Sequence, residues 1–233
     1  KGIFVFRDFP VCIIIPLADA TKNNTIKNKY PPSSGNFCAK SLKMESEIPC
    51  PTNTRMINHK YFLLKRKVAR TLFETRFVSP FTDYFGVWND PQIPETYSHY
   101  SDIVMETLLQ KVRPIMEKES GVKLTETYSY SRIYKKGDEL KRHKDRYSCE
   151  ISTTMHLGGD EWSIYIEPDI KINLKQGDML MYRGCELEHW REPFEGENCG
   201  QVFLHYNDTS GKDAKQNKFD SRSMIGLPSY FKT

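Results

Sequence analysis

Along the 233-residue chain the hydrophobic positions recur with two different periods, and the change falls at Gly121. Before it, Tyr61, Leu64, Val68, Leu72 and Phe73 follow helical spacing between Asn58 and Phe77. Met105, Leu108, Leu109, Val112, Ile115 and Met116 form a second stripe. Residues three and four apart share a helix face, so both stripes predict helices that lay an apolar side on a core. Ser101-Asp102 offer N-caps to the second helix, Pro114 is expected to kink it, and Gly121 to end it. After Gly121 the period is two. Thr125–Tyr134 alternates with Tyr128, Tyr130, Arg132 and Tyr134 on one face. Cys149–Leu157, Trp162–Glu167, Ile170–Leu174, Met179–Tyr182 and Gly200–Tyr206 follow as short strands. Gly158-Gly159-Asp160, Glu167-Pro168-Asp169 and Gln176-Gly177-Asp178 mark turns between them. Ile3–Phe6 and Val11–Ile15 read as two further strands at the start. Helices followed by seven or so short antiparallel strands predict a mainly β chain whose double-sheet jelly roll carries helices on one outer face.

Between these elements lies residues 18–56, rich in Lys, Asn, Ser, Thr and Pro, which reads as a long surface loop or lid. The expected organisation is a single domain over 1–233. Within it, 1–124 holds the first strands, the loop and the supporting helices, 125–207 the core, and 208–233 a polar tail whose apolar patch Met224–Phe231 docks back. With 38% hydrophobic residues, 13 Phe and 13 Tyr, the chain can fill a core, which excludes a disordered polymer. The net charge of +4 is dispersed, and a run such as Lys65-Arg66-Lys67 reads as a solvated helix face, so nucleic acid is not the expected partner. Six cysteines without a Cys-x-x-Cys pair give neither a disulfide scaffold nor a zinc site of usual spacing, although a Cys38–Cys50 bridge stays open. Cys149 and Cys185 read as small buried hydrophobes. The apolar run Val11–Leu17 is far too short to span a membrane. The expected location is therefore cytoplasmic and soluble. The chain starts at Lys1 rather than Met, so a targeting segment could precede it.

The segment Tyr134-Lys135-Lys136-Gly137-Asp138-Glu139-Leu140-Lys141-Arg142-His143-Lys144-Asp145 carries the chemistry. On an extended segment His143 and Asp145 point the same way. His189, at the start of a later strand, is the third candidate. Two imidazoles and one carboxylate on one face, with the remaining positions open, form the ligand set of non-haem Fe(II) oxygenases. This stretch resembles the Fe(II)/2-oxoglutarate dioxygenases of the prolyl 4-hydroxylase type. In that family a Tyr and a Gly precede His-x-Asp as Tyr134 and Gly137 do here. A strand and a Gly-Gly turn follow, like Glu150–Leu157 and Gly158-Gly159. A Gly-Asp turn then leads a strand toward the distal histidine, like Gly177-Asp178 through Tyr182 before His189. The resemblance covers about Thr125–Asn207 and implies a cupin-like double-stranded β-helix.

It further implies that His143, Asp145 and His189 bind Fe(II), with 2-oxoglutarate as co-substrate and O₂ as oxidant, releasing succinate and CO₂. Because position 145 is a carboxylate, hydroxylation is implied rather than halogenation. The family usually carries an Arg or Lys about ten residues beyond the distal histidine, to hold the far carboxylate of 2-oxoglutarate. Here that region reads Asn198-Cys199-Gly200-Gln201. Arg191, on the same strand face as His189, is the candidate replacement, with Tyr134 and His156 adding hydrogen bonds; alternatively Arg191 pairs with Glu188 or Glu192. Arg146 is either a donor to the ligand carboxylate or a surface residue, and Trp162 and Trp190 suit either the barrel mouth or its core. His205 reads as a core or edge histidine. The expected substrate is a peptidyl proline or a related amino acid or small molecule. The alternative is a catalytically silent cupin-like module that binds metal or ligand without turnover, which the missing basic residue at Gln201 favours.

Overall fold

A computed structural model describes residues 2–7, 11–16, 62–67, 85–88 and 90–233. The 18–56 loop, the Cys38–Cys50 pair and most of the 58–77 stripe lie outside these residues. Two short strands open the chain, β1 (Gly2–Arg7) and β2 (Val11–Pro16), followed by the helical residues 62–67 (α1). Next come β3 (Tyr97–Tyr100) and the long helix α2 (Ile103–Ser120). Eight core strands follow: β4 (Leu124–Lys135), β5 (Leu140–His143), β6 (Ile151–Gly159), β7 (Ile164–Ile166), β8 (Ile170–Ile172), β9 (Met179–Tyr182), β10 (His189–Arg191) and β11 (Asn198–Asp208). The short helix α3 (Ala214–Asn217) begins the tail.

The pairing of these eight is that of one long hairpin wound up on itself. β7 pairs β8, β6 pairs β9, β5 pairs β10 and β4 pairs β11, all antiparallel. Winding brings successive turns together, so β11 also pairs β6, and β10 pairs β7. The result is two facing sheets, β2-β1-β9-β6-β11-β4-β3 and β5-β10-β7-β8. This is the double-stranded β-helix that the sequence leads one to expect, extended at both edges of the larger sheet by β1–β2 and β3. β5 and β10 have four and three residues, too few to show an alternation, and the turn Tyr147–Cys149 delays β6 until Ile151.

On the outer face of the larger sheet β6 and β11 present an apolar patch. Met155, Val202 and Leu204 meet Met105, Leu109, Val112 and Met116 of α2. Asp102 caps α2 by accepting from Val104 N (2.9 Å) and Met105 N (3.3 Å), and Gly121 ends it in a left-handed turn at φ 70. The helix runs on through Pro114, which faces solvent. In α1 the buried residues are Phe62 and Lys65, whereas Leu64 is 58% exposed, so the stripe places the wrong residue inward; Lys65, expected on a solvated face, is buried by its ion pair with Asp102 (2.6 Å). Phe62 fits where β6 and β11 present the paired glycines Gly158 and Gly200; a Cβ on either would stand 2.8 Å or 2.4 Å from its ring. The tail docks only in part through its expected apolar patch, by Ile225 against the core and the buried Pro228. Met224, Tyr230 and Phe231 are exposed, and the charged Asp220 and Arg222 are buried beside the patch.

Candidate metal and co-substrate site

The inner faces of β4, β6 and β11 are polar. Arg132, Tyr134, Ser152, Thr154, His156 and Gln201 are all buried there, an expensive interior unless each group finds a partner or a ligand. At one end of this interior, His143 on β5 and His189 on β10 are register partners, so the two imidazoles face each other across the ladder with ring centres 4.3 Å apart. Asp145 follows β5 by two residues and brings Oδ1 to 3.7 Å from His143 Nε2 and 3.5 Å from His189 Nε2. One ligand atom from each residue lies within 4.8 Å of the others. His143 Nδ1 lies 2.7 Å from the Lys141 carbonyl and His189 Nδ1 3.1 Å from the Leu187 carbonyl. A carbonyl only accepts, so both Nδ1 atoms carry the proton and both Nε2 lone pairs point into the gap. Burial and the neighbouring His189 lower the pKa of His143, which keeps that lone pair available. Burial alone would raise the Asp145 carboxyl. The neighbouring His189 and His205 imidazoles and the Ser152 hydroxyl outweigh it and hold Asp145 well below the usual carboxylate range. Two neutral imidazoles and an ionised carboxylate fit a divalent first-row metal.

Beyond His189 on the same strand face lies Arg191, fully buried. Its Nη2 donates to Thr154 Oγ1 (3.2 Å), its Nη1 donates to the Trp162 carbonyl, and its Nε is without a partner. The guanidinium lies 5.1 Å from the Trp162 ring centre. No acidic side chain pairs with it among the described residues: Glu188 takes Arg142 and Glu192 takes the Trp190 indole N–H. Burial lowers its pKa, the mark of a cation held without a counter-charge. Gln201 on β11 reaches the same cluster. It accepts from Thr154 Oγ1 (3.1 Å) and donates to His156 Nδ1 (3.1 Å). Gln201 is thus tied to Arg191 through Thr154, and every link in that chain is neutral. Tyr134, fully buried, accepts from Arg132 Nη1 (3.4 Å) and packs edge-on against Trp162 at 4.8 Å.

No protein-family model and no curated protein matches the sequence. Among solved structures, the chain is similar to AviO1 from Streptomyces viridochromogenes Tue57, at TM-score 0.49 and 15% identity over 69% of this chain and 86% of that one. It is also similar to a Pseudomonas putida prolyl-4-hydroxylase, at TM-score 0.44 and 11% identity over 65% and 86%. HygX from Streptomyces hygroscopicus, solved with nickel and 2-oxoglutarate bound, gives TM-score 0.44 and 13% identity over 63% and 80%.

The structure brings His143, Asp145 and His189 together, and Tyr134, His156 and Arg191 line the same interior. Other candidates sort differently. Arg146 forks onto Asp220 with both bonds at 2.9 Å and does not touch Asp145. Trp162 is a core residue, whereas Trp190 is half-buried, stacking on Tyr165 at 5.5 Å beneath Arg142. Cys149 is buried, and Cys185 is only half so. His205 lies inward rather than at an edge, 3.0 Å from Ser152 Oγ. Burial lowers its pKa to about 4, so it is neutral near pH 7. Two residues without a sequence signal also approach the site. Asp90 takes the Arg132 guanidinium (2.9 Å) and caps its own turn, and Gln92 on that turn places its amide 3.3 Å from His143 Nε2.

Proposed function

We propose that this chain is an Fe(II)- and 2-oxoglutarate-dependent oxygenase that hydroxylates an unactivated C–H bond, with a peptidyl proline or a related amino acid as substrate. The observation that carries the reading is one strand, β10, that presents two inward groups. Its His189 closes a His-Asp-His cluster, and its Arg191 is a buried cation with no acid beside it among the described residues. His143, Asp145 and His189 would hold the iron on one face. Arg191 would receive the far carboxylate of 2-oxoglutarate, completing the charge that the barrel leaves open, with the Tyr134 hydroxyl as a further donor. When bound, iron and co-substrate supply the activation of O₂, yielding succinate, CO₂ and the hydroxylated product.

The chain's own residues set the conditions for that chemistry. The Lys141 and Leu187 carbonyls fix the histidine tautomers, and Asp145 enters ionised. Trp162 and Phe194, with ring centres 5.1 Å apart, shield the Arg191 end from water, where its charge acts at low dielectric. The family's basic residue on β11 is replaced by Gln201, and Arg191 supplies the cation from the facing sheet. The order of motifs from Tyr134 to His189 supports the proline-type substrate. A panel of proline-containing peptides assayed for succinate formation tests it, and turnover only with free small molecules would remove the peptide.

The deciding experiment is an anaerobic titration of 2-oxoglutarate into Fe(II)-loaded protein, followed by the visible charge-transfer absorption of the chelate. The expected result is a saturable band, lost in His143→Ala. In Arg191→Gln, 2-oxoglutarate should bind at least tenfold more weakly with iron retained. Iron binding without any band would favour the silent cupin-like module, for which Gln201 is the supporting observation.

A further inference from the structure

Asp145 has two carboxylate oxygens, and the fold treats them differently. Oδ1 faces the two histidines, while Oδ2 accepts a 2.7 Å hydrogen bond from Ser152 Oγ. The same Ser152 oxygen lies 3.0 Å from His205 Nδ1 and 2.9 Å from the Cys149 carbonyl. A serine hydroxyl has one proton, and of the oxygens in reach the ionised carboxylate is the stronger acceptor. The Ser152 proton therefore goes to Asp145, and its lone pair is left to accept from His205, whose Nδ1 must carry the hydrogen. Ser152 and His205 are buried register partners on β6 and β11, and the His205 ring is held against Tyr128 at 4.6 Å. Gly184 completes the cradle. A Cβ there would stand 2.3 Å from Asp145 Oδ2 and 2.5 Å from Ser152 Oγ, so a side chain at 184 would push the carboxylate out of place.

We infer that His205 and Ser152 form a hydrogen-bond relay, His205 Nδ1–H to Ser152 Oγ–H to Asp145 Oδ2, that orients the carboxylate so that it offers a metal one oxygen only. The inference rests on the metal reading proposed above and adds to it two positioning residues. Holding Oδ2 away prevents a two-oxygen grip and leaves an additional coordination position for co-substrate or oxygen. Partners that orient a ligand in this way typically contribute 10–100-fold to metal affinity. A rival use of the same atoms exists. Asp145, Cys149 and His205 also bring one ligand atom each within 4.8 Å, so His205 could itself bind metal beside the Cys149 sulfur.

Co(II) separates these possibilities without any assay of turnover. Metal-free full-length protein is titrated with Co(II), following affinity and the visible ligand-field bands, with urea midpoints of the metal-free forms recorded in parallel. Ser152→Ala and His205→Phe should each bind Co(II) about tenfold more weakly and change the band pattern. His205→Asn should stay within about threefold of wild type, because its amide N–H stands where the imidazole Nδ1–H stood. Unchanged affinity in Ser152→Ala, or a His205→Asn as weak as His205→Phe, would overturn the relay. An intense near-ultraviolet thiolate-to-cobalt band, lost in Cys149→Ser, would overturn it in favour of the rival cluster. If His143→Ala binds Co(II) as wild type does, the metal reading itself fails and the relay's role falls with it. Failure of the relay alone leaves His143 essential and the Ser152 and His205 variants at wild-type affinity.

Discussion

Among the described residues, the charges on the inner faces of the barrel include Arg191, Arg132 with its Asp90, and the Asp145 carboxylate, and the neutral residues between them depend on remaining neutral. His156 is the clearest case. It is buried on β6, its Nδ1 accepts from the Gln201 amide, and burial together with the Arg191 charge lowers its pKa to about 4. Protonation would turn Nδ1 into a second donor facing the Gln201 N–H, and would place a cation beside a cation. The unfolded chain, with an ordinary histidine near 6.5, binds this proton more readily than the folded chain. Stability is therefore fully present above about pH 6.5 and is lost as pH falls toward 4, at up to ~1.4 kcal/mol per pH unit from this group. Urea unfolding of wild type and His156→Gln at pH 7 and pH 4.5 isolates the effect, since the other titrating groups are common to both. The stability of wild type relative to the variant should drop between the two pH values. A constant difference would mean that His156 titrates normally in the folded protein.

Elements differ in how much of themselves they reveal in sequence. The contiguous run from Tyr134 to Asp145 is legible because strand, turn and ligands follow one another. Arg191 is legible as a neighbour of His189, since residues two apart on a strand share a face. That Arg191 has no acid partner among the described residues is not legible, because it depends on Glu188 and Glu192 turning to Arg142 and Trp190 once the sheets have formed. His205 is legible as a core histidine, but its pairing with Ser152 and Asp145 is not, for a related reason. On a strand buried on both faces, an inward polar residue cannot be told by period from an outward one, and β6 and β11 are buried almost throughout. α1 shows the opposite error, in which a plausible stripe selects Leu64 although Gly158 and Gly200 leave room for Phe62. That contact predicts a coupling. Gly200→Ala should cost about 1–3 kcal/mol by forcing Phe62 off the sheet, and Phe62→Ala about 3–5 kcal/mol by opening a cavity. The double variant, measured by denaturant unfolding, should lose clearly less than the sum, because without the Phe62 ring the added methyl meets only the Gly158 carbonyl oxygen, at an ordinary contact distance of 3.5 Å. Additive losses would place Phe62 elsewhere.

Across the whole molecule, the tail joins distant parts of the fold through one strained turn. Phe219, Asp220 and Ser221 all have left-handed backbone, at φ 53, 54 and 60, a conformation that costs an ordinary residue roughly 1 kcal/mol or more. Such a run persists only where its side chains are firmly engaged. Asp220 accepts the Arg146 fork from the segment that follows Asp145, the Tyr100 hydroxyl (2.6 Å) from β3, and Lys232 (3.0 Å) from the end of the chain. Arg222 donates to the Thr127 carbonyl of β4 (3.0 Å) and to Glu106 of α2 (3.2 Å). The tail is thus a brace across helix, sheet and ligand loop, held by buried charge at Asp220 and Arg222 as well as by Ile225 of the apolar patch. Two substitutions separate its terms. Asp220→Ala removes the carboxylate and keeps the strain, and because Arg146 is half-exposed the expected loss is about 1–3 kcal/mol. Asp220→Gly removes the same carboxylate but accepts positive φ without penalty. It should therefore be more stable than the alanine variant by about 1 kcal/mol in urea unfolding, although glycine is the more flexible residue when unfolded. An alanine variant at least as stable as the glycine one would show that the turn stores no strain, and that the brace is held by its ion pairs alone.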